Sequence, residues 1–392
     1  MKVALVGGCG HVGLPLGVSL AVLGFDVVAF DVDRTVVAQV NKGISPFKEN
    51  LLDEYLISAL GKKFIATTNP SVLSDCDVVI MIVGTPLDSE LKPITNQVVN
   101  VLSDISEFLR DGQLLILRST VYPGSTRQIE EKLQNIGLEI SVVFCPERII
   151  EGYAIEELHK LPQVIGARND KDFEKASQVF SKFGIDLIRT NPEEAELVKL
   201  FTNSWRYIKF AAANEFWEIS TNLGIDFNIV RDAIRMDYPR ASDLPGAGFA
   251  AGPCLFKDTK QLSASSNSGF KLGEASIEIN EGLPKFIVDK LKEKFDLKQM
   301  SVGILGMAFK AESDDIRSSL SYSLMNKLQD ECRNVHISDP FVKGENRLIS
   351  LEDLIEKCDI IIIGAPHSQY SLIKFHKHVV DVWNLLDQPS VI

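Results

Sequence analysis

The chain opens on a short apolar run, Lys2 to Val6, followed by glycines and then the helical pattern of Leu14 to Leu23, closing at Gly24. A second run, Asp26 to Phe30, and three uninterrupted ones, Asp77 to Val83, Leu114 to Leu117 and Ile140 to Phe144, follow at the spacing of βα units. Runs without polar alternation suit parallel strands covered on both faces. The period then changes. Asn191-Pro192-Glu193-Glu194 has a cap, a first-turn proline and acids against the dipole, and the 3.6-residue pattern runs about thirty residues to Asn222-Leu223-Gly224. Such a helix is ~45 Å long at 1.5 Å per residue. From Ile225 to about Leu297 the pattern stays helical, interrupted by a glycine-rich loop, Pro245 to Asp258, after which Lys257-Asp258-Thr259 leads into a further helix.

Strand rhythm returns at Ser301 to Ala308 and at Val335 to Asp339. Cys358 to Pro366 (CDIIIIGAP) then mirrors Cys76 to Pro86 (CDVVIMIVGTP), an internal repeat of one βα-rich half. The pattern predicts an α/β chain: two Rossmann-like doubly wound domains joined by a long central helix in an all-α middle domain, with boundaries at 1–190, 191–297 and 298–392.

The first strand–helix junction carries chemistry. Gly8-x-Gly10-x-x-Gly13 stands between a strand and a helix, and Asp31 ends the second strand 23 residues after Gly8. In that context the glycines allow a tight turn, close approach of a pyrophosphate and close helix packing, with the helix N-terminus facing the anion. Asp31 would accept from ribose hydroxyls and repel a 2'-phosphate, which favours NAD over NADP; Arg34 lies near enough to reach the adenosine side or to bind a phosphate. Three further strand ends deliver Thr85, Thr120 and Glu147 toward the same edge. In the last third the glycine pattern is eroded to Gly303-x-x-Gly306, so this half is expected to bind a different nucleotide-bearing ligand or only to pack. Lys310 and Arg317 are candidates for that ligand's phosphates.

A formal net charge of -12 argues against non-specific nucleic-acid binding and an anionic membrane surface. No apolar run reaches the ~20 residues of a membrane span, and the chain opens straight into a strand. Six scattered cysteines without metal spacing point to a reducing, cytoplasmic setting and to no bound metal. One of them, Cys254, follows the bare segment Gly246 to Gly252 and precedes Lys257 and Asp258. Small residues let backbone pass close to a bulky ligand. The thiol reads either as an activated nucleophile or as a buried structural cysteine. Lys199 and Asn203 lie four residues apart, on one face of the long helix.

These motifs resemble those of the nucleotide-sugar dehydrogenases, the family of UDP-glucose, GDP-mannose and UDP-N-acetylhexosamine 6-dehydrogenases. The resemblance runs nearly end to end through GCGHVGLPL, VGTP, RSTVYPGST, PERIIEG, EEAELVKLFTN, GAGFAAGPCLFKD, LGMAFKAESDDIRSS and SDP. It implies NAD-dependent four-electron oxidation of a sugar's primary alcohol to a carboxylate, with Cys254 carrying a thiohemiacetal and then a thioester. Lys199, Asn203 and Asp258 would hold a water and stabilise the oxyanion, and Glu147 with Thr120 would assist thioester hydrolysis. His11 and Val12 of the glycine turn, Glu151 and Arg317 resemble cofactor contacts. Arg148, Arg240, Lys310, Gly246, Gly248 and Phe249 resemble substrate contacts, with Arg240 reaching a partner subunit of a homodimer. The implied substrate is a nucleotide sugar, UDP-linked in preference to GDP-linked. PERIIEG and Tyr238-Pro239-Arg240 are similar to the N-acetylhexosamine branch, LFKD to the UDP-glucose and GDP-mannose branches, and Ala250-Ala251-Gly252-Pro253 departs from the common Gly-Gly. Asp381-Val382-Trp383-Asn384 stands where some relatives have an arginine. Two other readings stay open: a two-electron NAD-dependent hydroxy-acid dehydrogenase, and a catalytically silent nucleotide-sugar-binding protein.

Overall fold

The uninterrupted apolar runs become the strands of a mostly parallel sheet. The computed structural model describes residues 1–88, 94, 96–266 and 268–392, and the chain divides into two compact units, Met1–Thr202 and Asn203–Ile392. In the first unit the strands are Lys2–Val6 (β1), Asp26–Phe30 (β2), Phe64–Thr67 (β3), Val78–Met81 (β4), Leu114–Leu117 (β5), Ser141–Phe144 (β6), Gln163–Gly166 (β7) and Leu187–Thr190 (β8). Among the described residues they form one sheet in the order β3-β2-β1-β4-β5-β6-β7-β8. All neighbours are parallel except β6 and β7, joined antiparallel at Phe144 and Gly166. The short strands β3, β7 and β8 carry no long apolar run and were not expected from the pattern.

Alternate residues of β1 face opposite ways, and each way is a core: Val3 and Leu5 enter one apolar cluster, Ala4 and Val6 another. Burying each such Val or Leu side chain is worth about 1.5–3 kcal/mol. The sheet is therefore covered on both faces, and its free carboxyl edge is where ligands are met in such folds.

The long helix spans Pro192–Asn222 and stops where Gly224 takes a φ of +69°. In the second unit, helices Phe227–Arg235, Leu255–Ser265 and Lys271–Lys294 follow. The non-helical stretch between the first two of these is longer than expected, and helix resumes at Leu255 rather than after Lys257. Its first bond is Asp258 N donating to Cys254 O at 2.8 Å, so Cys254 is the N-cap. A second sheet of Ser301–Leu305 (β9), Asn334–Ser338 (β10), Ile360–Ile363 (β11) and His378–Val380 (β12) runs in the order β10-β9-β11-β12, all parallel. Among the described residues no helix is long and apolar enough to cross a membrane.

Candidate active site

In the first unit, β1 leads into a turn that only glycine can make. A Cβ on Gly13 would stand 2.5 Å from Gly7 O and 2.8 Å from Gly8 Cα, so the helix Gly13–Val22 sits hard against the turn. At Gly10 an added Cβ would meet only Gly7 O, at 3.8 Å, leaving the outer side of the turn bare. No side chain caps the start of this helix. A bare turn under an uncapped helix N-terminus fits a pyrophosphate. Asp31, half-buried at the end of β2, accepts from Cys9 N (3.1 Å) and Asp33 N (3.2 Å). A carboxylate has about four lone-pair sites, so capacity remains for ribose hydroxyls. Arg34 is exposed in the first turn of the next helix, Arg34–Val40. These residues fit NAD.

His11 stacks on Phe47 with ring centroids 4.0 Å apart, and its Nδ1 is 3.6 Å from Glu151 Oε1. The structure thus brings Glu151 to the glycine turn. Glu49 fastens that segment by accepting from Gly152 N (2.7 Å) and Ala154 N (2.8 Å). Neither Phe47 nor Glu49 was singled out from the sequence, because each acts across about a hundred residues or within a loop without periodicity.

The ends of β4, β5 and β6 are tied to one another. Ser119 Oγ accepts from Val83 N at 2.8 Å, which links the segments bearing Thr85 and Thr120. Arg118 is buried, donates from Nε to Glu147 Oε2 at 2.7 Å and pairs with it again through its Nη2. Glu147 Oε1 accepts from Arg148 N (2.7 Å) and Ile149 N (2.8 Å). The carboxylate expected to assist hydrolysis is held at both oxygens, and Arg118, passed over in the sequence, is what holds it. Arg148 donates to Pro162 O, and burial pushes its guanidinium below its usual range. Glu196 on the long helix accepts from Gly124 N (2.6 Å) and Thr126 N (2.8 Å), fixing the chain just after Thr120. Lys199, one turn further on, is buried.

In the second unit, Asn203 Nδ2 donates to Asp258 Oδ2 at 2.5 Å, and Lys257 Nζ lies 2.6 Å from Asp258 Oδ1. Asp258 has no exposed surface. One turn before it, Cys254 is exposed, at the helix end where negative charge is favoured. The other five thiols are poor nucleophiles. Burial pushes Cys9, Cys145 and Cys358 up to about 12, and Cys76 and Cys332 up to about 11.

The loop's glycines make room for the protein itself. A Cβ on Gly248 (φ +148°) would lie 2.4 Å from the Trp383 ring, and one on Gly252 (φ +100°) 2.6 Å from the Phe309 ring. Asn214 clamps Gly248 by accepting from its N (2.8 Å) and donating to its O (3.0 Å). Phe249 is core, edge-on to Trp383. Gly246 lies beside Arg231, whose Nη1 would be 2.8 Å from an added Cβ. Gly252 N donates to Ser318 O (3.3 Å), joining the thiol's loop to the segment carrying Lys310 and Arg317. Arg317 is bidentate to Asp315, and Lys310 Nζ lies 5.6 Å from the Phe309 ring centroid. Arg240 is exposed and stacks on Tyr238 at 4.4 Å.

Comparison with known proteins agrees along the chain. Residues 1–184 match the NAD binding domain of the UDP-glucose/GDP-mannose dehydrogenase family, 193–282 its central domain and 303–388 its UDP binding domain. The UDP-N-acetyl-D-mannosamine dehydrogenase of Pyrococcus horikoshii is 30% identical over 100% of this chain and 97% of its own. A solved structure of UDP-D-ManNAc dehydrogenase from Pyrococcus horikoshii superposes with a TM-score of 0.92 at 28% identity, covering 100% and 97% of the two chains. That of a UDP-glucose dehydrogenase from Pyrobaculum islandicum gives 0.91 at 26%, covering 98% and 96%. With all three parts matched in order, the chain belongs to the UDP-glucose/GDP-mannose dehydrogenase family.

Proposed function

We propose that the chain oxidises the primary alcohol of a UDP-linked sugar to a carboxylate, with Cys254 as the nucleophile. The observation that carries this reading is the exposed thiol at a helix N-cap, one turn from the buried Asn203–Asp258 pair, in a chain whose other thiols are held protonated by burial. NAD, when bound along Gly8 to Gly13, Asp31 and Glu151, supplies the hydride acceptor for both oxidations. Cys254 Sγ adds to the aldehyde carbon, so the half-oxidised sugar stays tethered. Lys199 and the Asn203 amide are suited to stabilise the oxyanion of that adduct. Water then cleaves the thioester, returning the thiol and releasing the acid, with Thr120 and the Arg118-held Glu147 positioning the water. Lys310 meets the diphosphate of the nucleotide sugar, and Arg317 the cofactor.

The functional segments of this reading are 1–190 for NAD, 191–297 for catalysis and dimer formation, and 298–392 for the nucleotide sugar. The sugar is an N-acetylhexosamine: the relatives named UDP-N-acetyl-D-mannosamine dehydrogenase, together with Arg148 and Tyr238-Pro239-Arg240, favour that branch. Exposed Phe201, Trp205, Phe216 and Ile219 on the long helix support a homodimer, in which Arg240 reaches the other subunit's site; light scattering tests it. The direct experiment is a panel of nucleotide sugars followed by NADH absorbance. Two NADH per sugar are expected, and one would return the hydroxy-acid reading. Cys254→Ser is expected to abolish formation of the uronic acid, and full four-electron turnover in that variant would sink the covalent route.

A further inference from the structure

The acid just after β10 is buried among protein partners. Asp339 Oδ2 accepts from Met307 N (2.7 Å) and Ala308 N (3.0 Å), and Oδ1 from Phe341 N (2.8 Å) and Val342 N (3.0 Å). Its fifth partner is His367, fully buried, with Nε2 at 3.1 Å from Oδ2. The other ring nitrogen, Nδ1, accepts from Glu312 N at 2.9 Å. A backbone N–H can only donate, so Nδ1 is bare and the proton sits on Nε2, directed at Asp339. The rings of Phe341 (5.0 Å) and Tyr370 (5.5 Å) pack edge-on against the imidazole. It is a two-ended strut with a fixed tautomer, running from the strand-end acid to the middle of the loop 306–319.

What the strut holds needs holding. Glu312 has a φ of +55° and Ser318 one of +52°, conformations that non-glycine residues keep only when their surroundings impose them. Glu312 Oε1 also accepts from Ser368 N (2.8 Å) and Ser368 Oγ (3.0 Å), a second tie between the same two segments. Lys310 lies two residues before Glu312 and Arg317 five after it. Ser318 O then receives Gly252 N, two residues before Cys254.

We propose that His367 is a positioning residue for the nucleotide diphosphate: by accepting from Glu312 N it sets the stretch of the loop that presents Lys310. This rests on the reading that the loop meets the nucleotide sugar. Two substitutions split the strut. Asn at 367 can place its Oδ1 where Nδ1 accepts, and Gln can place its Nε2 where the ring donates to Asp339. UDP and, separately, NAD would be titrated calorimetrically into the full chain, His367→Asn and His367→Gln. The Asn variant should bind UDP within about threefold of the parent and the Gln variant about tenfold more weakly, the scale of one lost buried hydrogen bond, with NAD affinity unchanged in both. Equal weakening in the two, or full affinity in Gln, would overturn the strut. No UDP binding by the parent would remove the underlying reading and the inference with it. Imidazole 15N shifts of the unmutated chain give an answer independent of variant folding: a protonated Nδ1 would refute the assignment.

Discussion

The two sheet units begin alike and spend their acids differently. In the first, six residues, 7–12, separate β1 from its helix, and Asp31 accepts from two amides while staying half-buried. In the second, fourteen residues, 306–319, separate β9 from the helix Leu320–Gln329. There Asp339 accepts from four amides and an imidazole. Burial alone would raise its pKa, but the bonds from His367, Phe341 N and Ala308 N outweigh it and hold the carboxyl at about 2. A short turn leaves the acid with accepting capacity to spare. A long loop needs an anchor, and the same acid becomes it.

The largest effect that would break this contrast is Asp339→Asn. Removing one partner of a buried, multiply bonded charge should cost about 3–5 kcal/mol, seen as a lower midpoint in urea, with UDP binding weakened and NAD binding kept. The pH dependence has a definite sign. Unfolded Asp titrates near ~4, while the folded group resists protonation until about 2. Its contribution, about 2 kcal/mol, is therefore whole above pH ~4 and decays as pH falls toward ~2. The stability gap between the parent and the variant should narrow in that window. Gly13→Val should come next: its Cβ meets backbone atoms that cannot step aside. It should cost about 1–3 kcal/mol and abolish NAD binding by calorimetry while UDP binding persists. The smallest effect on stability, under about 1 kcal/mol, is expected from Asp31→Asn. Its signature is instead a narrowing, about tenfold, of the NAD over NADP preference in kcat/KM. Equal destabilisation by Asp31→Asn and Asp339→Asn would dissolve the contrast.

What was legible in the sequence was local. Gly8, Gly10, Gly13 and Asp31 announce themselves by spacing, and the long helix by Pro192 at its start and Gly224 beyond its end. What was not legible is pairing at a distance. Arg118 was visible only as a strand end; its role lies in Glu147, just beyond the end of the neighbouring strand. Gly248 reads as room for a ligand until Trp383 is seen lying where its side chain would be. His367 had one available signal, its place directly after the Gly364-Ala365-Pro366 turn that echoes Gly84-Thr85-Pro86. The helix Leu255–Ser265 starts earlier than its sequence pattern suggests because the bond that fixes its start, at Cys254 O, depends on how the preceding loop is folded.

The bond from Gly252 N to Ser318 O has a dynamic side. It ties the thiol's loop to the segment 306–319, so the amide proton of Gly252 should exchange more slowly than those of the exposed Tyr238 and Arg240. A substitution that breaks this bond should raise exchange on both sides of it, in the thiol's loop and in the segment 306–319.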